Sequence, residues 1–351
     1  MSETQNVPQA EPAPSQKSWI QRHRFWTAVI VILGIVIIAF LLLSFLPVSV
    51  NDTSVSNPAV DHDEAVSRVD DLRAADEASG VINPVCLPTA MTHGEKTDKI
   101  IVFFHGFTSC PEQFRELAEQ FYDQGYNVYI PRMPHHGHAD QMSEALLNTS
   151  AEELAAFATE SIDIARGLGD EVIVGGLSGG GTITAWVAQE HEDVDLAVMV
   201  APFLGIGFIP TVLNRPVARL IDDIPNIWMW WDPTTKENSP TTAPYSYPRY
   251  PLHALAEYLR LGYATQQGAK QTRPDVNSIV VITNANDSSV DNNVAAQLVD
   301  AWNIHGEEYL DTYEFEKAYN LPHDLISPTR EDGNPGIVYP IIIERILAPD
   351  E

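Results

Sequence analysis

Apolar residues fall along the chain in short blocks separated by turn-forming residues, and the blocks alternate between two periods. Residues 99–104 (KIIVFF), 126–130 (YNVYI), 172–174 (VIV), 196–200 (LAVMV) and 278–283 (SIVVIT) are runs rich in β-branched and aromatic residues. This is the pattern of strands buried on both faces. Between them, 111–123, 151–168 and 293–304 space their apolar residues three and four apart, as in helices with one buried face. In 111–123 that face is Phe114, Leu117, Ala118 and Phe121. A strand over 310–315 and a helix over 337–347 close the series. Such alternation predicts an α/β fold, a mostly parallel sheet with helices on both faces. It lapses over 202–274, a stretch rich in Pro and aromatic residues, which predicts an inserted cap over the sheet's carboxyl edge. The folded domain is expected over 81–351.

A longer apolar run, 26–46, contains no ionisable residue. A bilayer span takes roughly 20 such residues, so a transmembrane anchor is predicted over 25–47. Lys17, Arg22 and Arg24 precede it, whereas Asp52, Asp61, Asp63 and Glu64 follow before any Lys or Arg. The positive flank stays inside. Residues 1–24 then read as a disordered cytoplasmic tail, 48–80 as an extracytoplasmic linker with a short surface helix, and the domain as extracytoplasmic. An oxidising compartment and an even count favour a disulfide between Cys86 and Cys110. Acidic residues number 48 and basic ones 20, for a net charge of −28. That surface repels phosphate backbones, so nucleic acid is not expected as a partner.

Candidate chemistry centres on Val172-Ile-Val-Gly-Gly-Leu-Ser178-Gly-Gly-Gly-Thr182. A buried strand entering a helix through Gly-x-Ser-x-Gly is a nucleophile elbow, which exposes the serine hydroxyl at the sheet's carboxyl edge. No Lys follows, as a phosphate loop would require. A serine nucleophile needs a base and a carboxylate to orient that base, in the chain order Ser, acid, His. Asp287, on the loop leaving the 278–283 strand, is preferred as the acid over Asp291. His323, in the loop after the last strand, is the expected base. Oxyanion donors are expected from the backbone N–H groups of Gly179 and of Phe107, the latter in the loop that follows His105-Gly106. The run His135-His136-Gly137-His138 reads as a rim loop, since neighbouring loop histidines seldom converge on one ion; no metal is expected.

His105-Gly-Phe-Thr108, Arg132-Met-Pro-His-His-Gly-His138, Gly176-Leu-Ser-Gly-Gly180, Asp287 and His323 together resemble the serine α/β-hydrolases of the monoacylglycerol lipase and carboxylesterase type. The likeness covers about 81–348 and is weakest in the cap. It implies a Ser178–Asp287–His323 triad and a Phe107/Gly179 oxyanion hole. Gly179 stands where Met or Gln is common in such enzymes, and Asn284 where Gly often precedes the acid. The reading is a membrane-anchored extracytoplasmic serine hydrolase for carboxylic, lipid-like esters, without a cofactor. Trp230 and Trp231 of the cap are expected to line an apolar slot for the acyl chain. A serine aminopeptidase, with Asp222, Asp223, Asp232 or Glu237 holding the substrate amine, is the first alternative. An anchored, non-catalytic binding protein is the second.

Overall fold

The structure, a computed structural model, describes residues 23–221, 224–239, 242–306 and 308–347. It divides into two units, Met1–Leu46 and Pro47–Glu351. The first holds helix α1, Arg24–Phe45, which carries the apolar run. The expected membrane anchor is corrected here: among the described residues no helix is long and apolar enough to cross a membrane. The single-pass topology, the membrane as partner and the extracytoplasmic placement all derived from that anchor, and all are withdrawn. The tail over 1–22, with Lys17 and Arg22, lies outside the described residues.

Seven strands form the central sheet of the second unit: β1 (Thr89–Met91), β2 (Thr97–Phe104), β3 (Asn127–Ile130), β4 (Gly169–Leu177), β5 (Leu196–Val200), β8 (Ser278–Asn284) and β9 (Leu310–Phe315). Their spatial order is β1-β3-β2-β4-β5-β8-β9. All pairs are parallel except β1 with β3. Helices α3 (Arg115–Tyr122), α4 (Ala151–Leu168), α5 (Gly179–Glu190), α8 (Asn292–Asn303) and α9 (Pro335–Leu347) alternate with the strands. The two large hydrophobic clusters lie on opposite faces of the sheet, because successive side chains of one strand enter different clusters. Ile100, Val102 and Phe104 pack in one, Ile101 and Phe103 in the other. This is the α/β-hydrolase fold with an inserted subdomain, as the alternation of the sequence predicts.

Residues 48–80 are not a free linker but part of the compact unit. Helix α2 (His62–Ser79) buries Ala65 and Val69 against α4, and the Asp163 carboxylate of α4 accepts from Ser56 Oγ (2.7 Å) and Asn57 N (2.6 Å). At its far end Asp76 binds Arg132 Nε at 2.6 Å. The segment between β5 and β8 occupies 201–277. It contains α6 (Thr211–Ile221) and the antiparallel pair β6 (Trp228–Trp230) and β7 (Arg249–Pro251). Helix α7 (Leu252–Ala269) then returns to the core and packs along α5. A Cβ on its Gly262 would lie 3.0 Å from Leu204 Cδ2, in the segment that follows β5.

Candidate active site

Strand β4 ends at Leu177 and α5 begins at Gly179, so Ser178 alone makes the turn. Its backbone takes φ 55° and ψ −112°, a region that side-chain-bearing residues seldom visit. The turn closes only because its neighbours lack side chains. A Cβ on Gly180 would stand 2.0 Å from Phe104 O, and one on Gly176 would stand 2.3 Å from Gly180 O. The Ser178 N–H donates to Val200 O at 2.9 Å, tying the turn to the end of β5.

Asp287 and His323 arrive from loops after β8 and β9, both at the same sheet edge. His323 Nε2 lies 2.8 Å from Ser178 Oγ, and its Nδ1 lies 2.6 Å from Asp287 Oδ2. The other Asp287 oxygen accepts from the N–H groups of Ser289 (2.8 Å) and Val290 (3.2 Å). Burial works to raise the Asp287 pKa, but the neighbouring His323 and those hydrogen bonds hold it below the usual carboxylate value. Burial pulls the other way on His323, and the Asp287 carboxylate overrides it, leaving the imidazole above its ordinary pKa. Asp291 does not reach His323. It caps α8, accepting from Asn293 N at 3.1 Å, and its other oxygen meets Asn214 Nδ2 at 3.3 Å.

Beside the serine runs the loop His105-Gly106-Phe107-Thr108. The Gly106 carbonyl accepts from His105 Nδ1 and from Ser109 N, both at 3.0 Å. Its N–H donates to Gln113 Oε1 at 2.7 Å. A trans peptide holds its C=O and N–H on opposite sides, so fixing the Gly106 carbonyl also fixes the direction of the Phe107 N–H. His105 is wholly buried and its pKa is pushed down to about 3 by that burial. It is therefore neutral, with Nε2 accepting from Met133 N at 3.1 Å. Gln113 and Met133 are parts of the site that the sequence did not signal. Nothing in the spacing of either residue marks it as a partner of this loop.

Cys86 and Cys110 are joined, with Cα atoms 5.2 Å apart, three residues beyond Phe107. The histidine run scatters. His135 Nε2 contacts Glu153 Oε2 (2.8 Å), His136 Nδ1 donates to Pro134 O (2.8 Å), and His138 Nδ1 contacts Ser143 Oγ (3.0 Å). No cluster of three or more metal-ligating side chains occurs among the described residues.

Two cavities meet at Ser178, His323 and Phe107. One, about 350 Å³, is walled by Phe203, Ile206, Met229, Trp230 and Tyr250. The other, about 220 Å³, is lined by Thr108, Ser109, Gln113, Thr242 and Arg330. Trp231 borders both, and its Nε1 donates to Thr108 Oγ1 at 2.8 Å, so the cap is bonded to the loop bearing Phe107. A nucleophile, a base, an orienting acid and two unlike chambers can together hold and cleave an acyl bond.

Residues 95–311 match the family described as serine aminopeptidase, S33. A thermostable monoacylglycerol lipase of Bacillus sp. (strain H-257) is 31% identical over 125 residues, which are 32% of this chain and 48% of that lipase. The chain thus matches about half the length of that relative. Among solved structures, that of the metagenome-derived lipolytic enzymes LipS and LipT superposes with a TM-score of 0.58 at 19% identity, covering 76% of this chain and 98% of the other. The monoacylglycerol lipase of Paleococcus ferrophilus gives 0.56 at 16% identity, covering 74% and 98%. At such identities the structural likeness is one of fold. The family match spans most of the sheet, the elbow and the cap, and the chain belongs to the serine aminopeptidase S33 family, as a serine hydrolase of the esterase and lipase clan related to monoacylglycerol lipases.

Proposed function

We propose that the protein hydrolyses carboxylic esters with apolar acyl chains through an acyl-enzyme on Ser178. Ser178 Oγ attacks the acyl carbon while His323 takes its proton and Asp287 steadies the imidazolium. The oxyanion is met by the N–H groups of Phe107 and Gly179. Collapse expels the alcohol, protonated by His323. Water, deprotonated by the same imidazole, then releases the acid. The observation that carries this reading is the hydrophobic chamber directly beside Ser178 and His323, with Trp230 and Trp231 in its wall. A chamber of that kind favours an alkyl chain over a peptide or sugar.

Among the described residues, no carboxylate without internal hydrogen bonds lines either chamber, as the aminopeptidase alternative would need. Asp232 is bonded to Thr234 and Thr235, and Glu237 is exposed. Asp324 borders the polar chamber, but its oxygens accept from Ile326 N, Ser327 N and Ser327 Oγ. Asp222 and Asp223 lie outside the described residues. The test is a panel of nitrophenyl esters from acetate to dodecanoate beside aminoacyl amides. Each methylene buried contributes about 0.8 kcal/mol, or up to about fourfold in kcat/KM. Medium acyl chains are expected to be preferred and Ser178→Ala to be inactive. A flat chain-length profile, or faster amide turnover, overturns the reading.

A further inference from the structure

Gly179 follows the nucleophile, and its backbone does not require glycine, since its φ lies outside the left-handed region. Space requires it. A Cβ at this position would stand 2.9 Å from Tyr258 Cε1 and 3.0 Å from both Phe107 N and Phe107 Cβ. Tyr258 comes from α7, the helix that returns from the cap. Its ring is wholly buried, and among the described residues its hydroxyl donates to Met133 Sδ alone, at 3.3 Å. Burying a phenol with so weak an acceptor is costly, which points to the ring as the useful part. That ring lies 5.0 Å from the Phe107 ring, centroid to centroid. Phe107 is otherwise bounded by Tyr250 at 5.6 Å, His136 at 5.9 Å and Trp231 at 6.4 Å. Of these rings, that of Tyr258 holds the atom nearest to where a Gly179 Cβ would stand.

We infer that Tyr258 is a positioning residue for the oxyanion donors: its ring takes the place of the side chain missing at 179 and braces Phe107 so that the Phe107 and Gly179 N–H groups converge. The inference rests on the proposed oxyanion reading and deepens it. The Met133–His105–Gly106 chain of hydrogen bonds sets the direction of the Phe107 N–H, and Tyr258 sets its distance from Gly179. A shift of about 1 Å in a catalytic donor costs up to roughly a hundredfold in rate.

The test compares Tyr258→Leu and Tyr258→Phe in the full chain, with rates normalised to Ser178 titrated by a fluorophosphonate. An octanoyl trifluoromethyl ketone, which forms an oxyanion adduct, and the matching methyl ketone, which binds without one, are the inhibitors. Tyr258→Leu is expected to lower kcat roughly ten- to a hundredfold with KM within about twofold. Affinity for the trifluoromethyl ketone should fall in parallel while that for the methyl ketone holds. Tyr258→Phe, which keeps the ring, should recover most of both. Gly179→Ala should cost less in a Tyr258→Ala background than in the parent, and if that double variant does not fold, the Leu and Phe pair carries the test. Retained kcat and trifluoromethyl ketone affinity in Tyr258→Leu overturn the inference. So does equal loss of both ketones, which marks a simple pocket wall. Turnover by Ser178→Ala overturns the underlying reading instead, so the two failures are distinguishable.

Discussion

His323 has two neighbours that pull its proton affinity in opposite directions, and the sign of the result sets the pH range of the enzyme. The base must be neutral to accept the serine proton. Because Asp287 raises the imidazole pKa above its free value, kcat/KM should fall on the acid side at a pH above that at which a free imidazole would titrate. In Asp287→Asn that limb should move to lower pH, and kcat should fall by roughly a thousandfold or more. An unmoved limb would show that Asp287 is not the orienting acid. Gly180→Ala should prevent folding altogether, because its clash is with the Phe104 carbonyl and no flexible side chain can yield; circular dichroism of the purified variant checks this. The elbow, Asp287 and His323 could be picked out in the sequence, since each follows a recognisable strand. Asp287 and Asp291 leave the same strand four residues apart, and the sequence prefers Asp287 only by its place on the loop. In the structure the Asp287 carboxylate lies 2.6 Å from His323 Nδ1, whereas Asp291 caps the next helix.

Strands and amphipathic helices of the sheet carry their period openly, and these were the elements that could be placed from sequence. The exceptions are physical. Strand β1 has three half-buried residues at an edge, too short and too mixed to show alternation. Helix α7 continues the aromatic composition of the cap, and only its small residues betray a close helix contact. Two element-scale predictions follow from how the cap and the disulfide hold the Phe107 loop. Trp231→Ala removes both a wall of the apolar chamber and the bond to Thr108. It should flatten the chain-length preference while leaving acetate hydrolysis measurable in the same ester panel. Breaking Cys86–Cys110 frees a 24-residue separation, which chain-entropy reasoning values at about 3 kcal/mol. Cys86→Ser should lower the urea unfolding free energy by about that amount.

For the whole molecule the net charge of −28 is the dominant fact, and the described ion pairs show where the positive charge goes. Arg68, Arg73, Arg115, Arg132, Arg166, Arg260, Arg330 and Arg345 each contact a carboxylate, as do Lys96 and Lys99. Arg260 is the most engaged, bridging Glu152 of α4 and Glu257 of α7. With ten of the 20 basic residues set against a carboxylate among the described residues and 48 acidic residues in all, the remaining field is dominated by self-repulsion among carboxylates. Most of the pairs are partly exposed, where a salt bridge contributes ~0–1 kcal/mol and is itself screened. Repulsion acts over longer distances than the pairs do, so salt should relieve more than it weakens. The folded state, which concentrates this charge, should gain stability as ionic strength rises. We expect the urea midpoint to increase between about 20 mM and about 0.5 M NaCl, a range over which the screening length shrinks from roughly 20 Å to about 4 Å. Arg260→Met should lower the midpoint at low salt and deepen the dependence, since it leaves Glu152 and Glu257 facing each other. A midpoint that falls with added salt would mean that the paired arginines, rather than the excess carboxylates, govern the electrostatics of the fold.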